Sequence, residues 1–295
     1  MRCNPEAPEP NDEAATLQRA ESERLAALAE AAAPHLFRAD APRWLARLDA
    51  AADSITAALA WSAARGPADD ANSLLARLAG SLWPYWWLGR NLTEGRRWLG
   101  MALERTEAAA PRASLLFGAG VLAFDDGDIR TARISCSELL GIGKATDDPT
   151  AETLALAGLG LVAHLLGDPQ RADALGRTSL ARAEVSTDQH ARILALLVRG
   201  RVVLGRDDPQ AANLFLRAAQ ASRDAELTGL QGYALLGGAY AARGTIGAAP
   251  DAGTNRGTDA AALAEAARAV FAGQHDARGL ALCARFYQDS TTSLT

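Results

Sequence analysis

Gly120–Ala132 (GVLAFDDGDIRTA), Gly160–Ala172 (GLVAHLLGDPQRA) and Gly200–Ala212 (GRVVLGRDDPQAA) each run from a glycine to an alanine, and their starts are spaced 40 residues apart. Each holds a turn-forming cluster in its middle: Gly127-Asp128, Gly167-Asp168-Pro169 and Asp207-Asp208-Pro209. Matched series at one period of roughly 20–50 residues mark a stack of like units. Apolar spacings of three and four run on either side of each cluster, so each unit reads as two helices joined by a tight turn. Asp, or Asp followed by Pro, at the start of the second helix is good capping chemistry.

Working outward, helix pairs are expected over about 112–126 with 129–144, 150–166 with 169–184, and 189–205 with 208–224. A fourth pair starts at 228–243, where Gly237, Gly244 and Ala249 keep the offsets but arrive 37 residues on. About 11 residues then intrude, placed at PDAGTNRGTDA (250–260), a Gly- and Asp-rich stretch expected to be a flexible loop. Helices over about 260–273 and 277–287 follow, and 289–295 reads as a frayed tail. Before the repeats, 1–11 with its three prolines reads as a disordered leader, and 12–110 as a helical adaptor. Within it, 43–64 reads as one amphipathic helix, Gly66-Pro67 as a break, 68–87 as a helix disturbed by Pro84, and 92–108 as its partner. The regular region spans 111–288.

Composition limits the function. Alanine is frequent and aromatic residues make up only 5%, which favours closely packed helices. A net charge of −5 argues against a phosphate-binding face, so no direct nucleic-acid contact is expected. Cys3, Cys136 and Cys283 are odd in number and far apart, which suits a reducing cytoplasm and forms no metal or disulfide pattern. No apolar run is long enough for a bilayer, and no membrane partner is expected.

The sequence offers no chemistry that survives inspection. Gly118-Ala-Gly120-Val-Leu-Ala123 and Gly158-Leu-Gly160-Leu-Val-Ala163 both spell the dinucleotide fingerprint GxGxxA, but each lies mid-helix, where such a motif has no meaning. Gly143-Lys144 lacks the rest of a P-loop, with Glu138 and Ala145 at the decisive places. His35, His164, His190 and His275 stand alone, so neither catalytic residue nor metal or cofactor ligand is assigned. Arg96-Arg97 reads as a solvated helix face. Trp83, Tyr85, Trp86, Trp87 and Trp98 read as the core of a kinked helix pair, with a ligand platform as the other option.

The Gly-to-Ala spacing resembles the tetratricopeptide repeat, lengthened from 34 residues. Residues 43–61, 76–104 and LLFGAGVLAFDDGDIRTAR further resemble the helical region of bacterial ATPase-type transcriptional regulators of the LuxR-type, MalT-like and antibiotic-regulatory families. The pieces that carry this are Trp61, Trp83, Trp87, Gly89, Glu94-Gly95-Arg96-Arg97-Trp98-Leu99 and Gly118–Ala123. The nucleotide-binding and DNA-binding domains of those regulators have no counterpart in this sequence.

The resemblance implies an all-α, right-handed α-solenoid with a concave groove lined by the first helix of each pair. Counting from the repeat glycines places Phe117, Val121, Phe124, Asp125, Leu161, His164, Leu197, Arg201 and Leu204 in that groove. The expected function is a non-enzymatic interaction module tied to bacterial transcriptional regulation or signalling, with a protein or peptide partner in the groove. The alternative is a small-molecule effector-sensing domain of such a regulator.

Overall fold

The computed structural model describes residues 10–65, 71–205, 209–244 and 256–292. Among these residues the protein is all α. Four helices come first, α1 (Pro10–Ala32), α2 (Ala41–Ala50), α3 (Ala52–Ala63) and α4 (Ala71–Tyr85), and α5 (Leu92–Leu103) follows a wide turn at Trp86–Arg90. The regular pairs are α6 (Ala109–Asp125) with α7 (Ile129–Thr146), α8 (Pro149–Leu165) with α9 (Pro169–Val185), and α10 (Gln189–Leu204) with α11 (Gln210–Asp224). Then come α12 (Thr228–Gly244), α13 (Arg256–Gly273) and α14 (Ala277–Thr292).

The turn chemistry performs as its sequence suggests. Asp128, Asp148, Asp168 and Asp188 stand at 20-residue intervals and cap α7, α8, α9 and α10 through their side chains. Each carboxylate accepts from backbone N–H groups that a helix start leaves unpaired. Gly127 (φ 79°) and Gly167 (φ 75°) take the left-handed conformation that lets the chain reverse between the paired helices. The preceding turn of the third unit includes Asp207-Asp208, outside the described residues, as are Gly66-Pro67.

Curvature follows from which helices meet. The first helices α6, α8, α10 and α12 pack against one another in series, whereas α7, α9 and α11 have no comparable contact among themselves. The second helices therefore splay on the outside and the first helices line the inside. α4 packs on α6 in the same fashion, so the stacking already runs through α4 and α5. A buried pair ties neighbouring units: Arg199 of α10, 6% exposed in its side chain, meets Asp173 of α9 at 2.6 Å. Within one unit, the half-exposed Arg182 of α9 meets the buried Glu152 of α8 at 3.1 Å.

Several sequence expectations need correction. The helix read over 43–64 is broken at Ala51 (φ −102°, ψ 3°) into α2 and α3. No large apolar side chain lies between Leu48 and Ile55 to hold one continuous face against the core. α5 stops at Leu103 instead of 108, and Arg112 donates to the carbonyls of Leu103 and Thr106 at 2.7 Å, closing that end. α1 begins at Pro10, within the expected leader; residues 1–9 lie outside the described residues. α13 begins at Arg256, so the end of the 250–260 loop is helical, continued by the alanine run from Ala260 to Ala262. Residues 250–255 are outside the described part. α14 continues to Thr292, through the first half of the expected tail.

Two further corrections concern packing. Arg96 does not sit on a solvated face: it pairs with both Asp126 and Asp128 in the turn between α6 and α7. The GRRWL segment is thus a clamp, with Gly95 against Trp86, and Trp98 and Leu99 fully buried. The fourth unit also keeps step better than its glycine suggested. α6, α8, α10 and α12 begin at 109, 149, 189 and 228. Counted from those starts, the partner of Gly120, Gly160 and Gly200 is the buried Ala239, and Gly237 is only half-buried.

Candidate functional site

The inner face of the solenoid is built one helix row at a time. All nine residues expected to line it are at least partly accessible: Arg201 is exposed and the other eight are half-buried. With the register corrected, Tyr240 of α12 takes the place that Val121, Leu161 and Arg201 hold in α6, α8 and α10. Phe124 packs at the contact of α6 with α7 and α8, and Leu204 at the contact of α10 with α11. Among the nine, the arrangement separates an aromatic end from a polar end.

The aromatic end comes from α4, α6, α10 and the segment before α2. Trp83 and Trp87, one helical turn apart, face inward and are half-buried, whereas Trp86 and Trp98 are 3% and 1% exposed in the core. The tryptophans therefore divide by helix face: Trp86 and Trp98 lie inside the core, and the partly buried Trp83 and Trp87 pack against it. Trp83 meets Phe117 edge-on with centroids 5.2 Å apart. Phe37 packs beside Trp83, Trp87 and His190 at 6.0, 5.8 and 5.3 Å, and rests on Ile193, Leu227 and Leu230. Leu197 touches this cluster as well. The Nε2 atom of His190 is buried with no hydrogen-bond partner among the described residues. Desolvation lowers the pKa of His190, with Asp188 pulling the other way.

α4 can present those rings because of Pro84. Its missing N–H leaves the Gly80 carbonyl without the usual partner, and the Ser114 hydroxyl of α6 points at that oxygen from 3.4 Å. After Tyr85 the helix widens and ends at Gly89 (φ 98°), a conformation suited to glycine. This turn sets Trp87 against α14.

The polar end gathers Asp125 of α6, His164 of α8, Arg201 of α10 and Arg278 of α14. Asp276 caps α14 by accepting from the Gly279 N–H at 2.8 Å, and accepts from the Tyr233 hydroxyl at 2.7 Å. So anchored, α14 carries Arg278 across the channel to Asp125, with Nη2 to Oδ1 at 2.5 Å. The same guanidinium lies 4.5 Å from the centre of the Trp87 ring and 5.7 Å from that of Tyr233. Such stacking suits a flat, weakly hydrated cation. Burial raises the pKa of Asp125 even though Arg278 opposes the shift. Its second oxygen, Oδ2, has no hydrogen-bond partner among the described residues.

Arg201 differs from Arg278. It faces the solvent of the channel, yet channel walls lower its pKa by desolvation and Arg278 adds like-charge repulsion. Asp125 and Tyr240 act on it in the opposite direction. No hydrogen bond or ion pair satisfies its side chain among the described residues. His164 also has a lowered pKa, through desolvation first and the Arg201 charge second.

Sequence reasoning reached Asp125, His164 and Arg201 but missed Arg278, Tyr233, Tyr240 and Phe37. The four-residue spacing of Trp83 and Trp87, off the phase of Trp86, was a legible signal for the inward tryptophans. The two-residue slip in the fourth register hid Tyr240. Among the described residues no group of three or more His, Cys, Asp or Glu side chains could hold a metal ion. No helix there is long and apolar enough to cross a membrane.

The stacked pairs decide the comparison with known structures. The fold is similar to that of a Rap protein. A crystal structure of a Rap protein complexed with competence and sporulation factor matches 88% of this chain and 79% of that chain with a TM-score of 0.59. Sequence identity is 13%, so the likeness is one of tetratricopeptide-like architecture. No family model and no curated protein matches the sequence.

Proposed function

We propose that the chain is a non-catalytic docking module whose inner channel receives an extended protein or peptide segment, in bacterial signalling or transcriptional control. The observation that carries this reading is the inward face itself: partly accessible aromatic rings at one end and an exposed arginine with no partner among the described residues at the other. An extended segment needs such alternating apolar and polar footholds, and an array of short helix pairs provides them along a line. The Rap structure supports the reading, since that protein was solved with a factor bound. The link to transcriptional control rests on the GRRWL clamp and the paired glycines that resemble the helical region of LuxR- and MalT-like regulators.

The test is positional. Benzoyl-phenylalanine placed at Val121 should form a covalent adduct with a protein or peptide partner on illumination, and at Ile134 it should not. Ile134 is 52% exposed on α7, away from the channel. Adducts from Ile134 alone would refute channel docking. A rise in melting temperature caused by a cell extract filtered below about 1 kDa, with no adduct at Val121, would favour the effector-sensing alternative, because a bound ligand stabilises the folded state.

A further inference from the structure

Arg278 occupies a place shaped for a guanidinium, and occupies it incompletely. Asp125 of α6 supplies a carboxylate, and the rings of Trp87 and Tyr233 supply two aromatic faces. A carboxylate beside aromatic faces selects a flat, weakly hydrated cation. The two rings lie 5.3 Å apart, and the Tyr233 hydroxyl is fixed on Asp276 at 2.7 Å. Carboxylate and rings come from α6, α12 and the turn at Trp86–Arg90, whereas the occupant comes from α14. Arg278 reaches only Oδ1 of Asp125; Oδ2 is buried with no hydrogen-bond partner among the described residues. A buried acceptor without a donor is costly, and a guanidinium set squarely would give one N–H to each oxygen. Asp125 is 10% exposed and Arg278 29%, so a group entering from solvent meets the arginine before the carboxylate.

Resting on the docking reading above, we infer that Asp125, Trp87 and Tyr233 form a guanidinium seat in which Arg278 is a tethered occupant. The channel's peptide partner displaces it with an arginine side chain of its own. An incoming arginine bonded through both terminal nitrogens pairs Oδ2 as well as Oδ1, a gain that Arg278 does not realise. The exchange needs only the Arg278 side chain to swing out, because Asp276 still caps α14 through the Gly279 N–H. Two carboxylates, Asp125 and Asp276, then stand against one exposed arginine, Arg201, so the vacated seat calls for a cation. A lysine brings the charge but neither the fork nor the flat face, and an acidic side chain would meet Asp125. Arg278 thus sets a threshold that a partner without arginine does not pass.

Two measurements on the full chain test this. N-acetyl-arginine amide should raise the melting temperature of Arg278→Gln, and N-acetyl-citrulline amide, of the same shape without the charge, should not. Adding Asp125→Asn to that variant should abolish the rise. If Arg278→Gln does not fold, Arg278→Met, whose stem can still pack on the two rings, takes its place. In the second measurement an acetylated, amidated random pentapeptide library is passed over the immobilised chain. Retained peptides should be enriched in arginine over lysine. Arg278→Gln should hold them about tenfold more tightly, the gain from freeing a seat that is vacant about one-tenth of the time. A purely structural Arg278 would give weaker or unchanged retention on its removal. That result, retention without arginine enrichment, or no melting shift with the arginine amide each overturns the inference and leaves the docking reading intact. A melting shift with no peptide retained by either chain upholds the seat and overturns the docking reading, and displacement by a partner with it.

Discussion

A methyl group added at Gly158 would lie 2.5 Å from the Cys136 sulfur, and one added at Gly118 would lie 2.7 Å from Trp83 Cβ. One added at Gly141, also within a helix, meets nothing within 4 Å. The same substitution should therefore have opposite signs. Gly158→Ala forces two packed helices apart and should cost about 1–3 kcal/mol. Gly141→Ala gains helix propensity without a clash and should stabilise by about 0.5–1 kcal/mol. Urea unfolding with an unchanged denaturant slope measures both, and equal effects at the two sites would show that packing does not explain these glycines. Cys136 itself is a packing residue, its thiol pushed up to about 12 by burial. The period was legible in Gly120, Gly160 and Gly200, yet the tightest contacts in the first two units fall two residues earlier. A sequence shows where small residues recur. Which of them faces the neighbouring helix depends on crossing geometry that spacing alone does not encode.

For whole helices, legibility was better, because capping is local. The aspartates at 20-residue steps lie close to each helix start and their side chains reach no further than three residues. Asp148 is the clearest case, with Oδ1 accepting from the N–H groups of Thr150 and Ala151 at 2.9 and 3.2 Å. Asp148→Ala should cost about 1 kcal/mol. It should also raise hydrogen exchange at Thr150 and Ala151 above that at Thr131 and Arg171, whose caps remain. Uniform exchange changes along the solenoid would instead mean that the cap is not a local device. What spacing could not reveal were the break at Ala51 and the wide turn at Trp86–Arg90. The first follows from a local lack of large apolar side chains that spacing does not weigh, and the second involves a partner distant in sequence, since Gly80 and Ser114 meet only once α4 is laid against α6.

At the scale of the whole molecule, an open solenoid joins each unit only to its neighbours. This chain departs from that rule where its first and last helices approach later or earlier units, and three polar contacts among the described residues show it. The Gly229 N–H at the start of α12 donates to the Phe37 carbonyl at 2.9 Å, Arg38 approaches Glu226 at 3.4 Å, and Arg278 holds Asp125 across 153 residues of chain. None of these contacts repeats with a period, which is why the array was legible in the sequence and its closure was not. The exposed Arg38–Glu226 pair adds little, since surface pairs are worth about 0–1 kcal/mol. Arg278–Asp125 is different: the carboxylate is 10% exposed and its partner 29%. Removing one side leaves a partly buried charge alone, whereas removing both removes the desolvation cost as well. Asp125→Ala should thus lower stability by about 1–3 kcal/mol, and adding Arg278→Met should restore most of it. A double variant as unstable as the sum of the two single variants would show that the residues do not act as a pair. If the closing contact sets the curvature, the same pair of measurements should be matched by small-angle scattering. The single Asp125 variant should show a larger radius of gyration, because the first helices can then relax toward the straighter stack that neighbour contacts alone would permit.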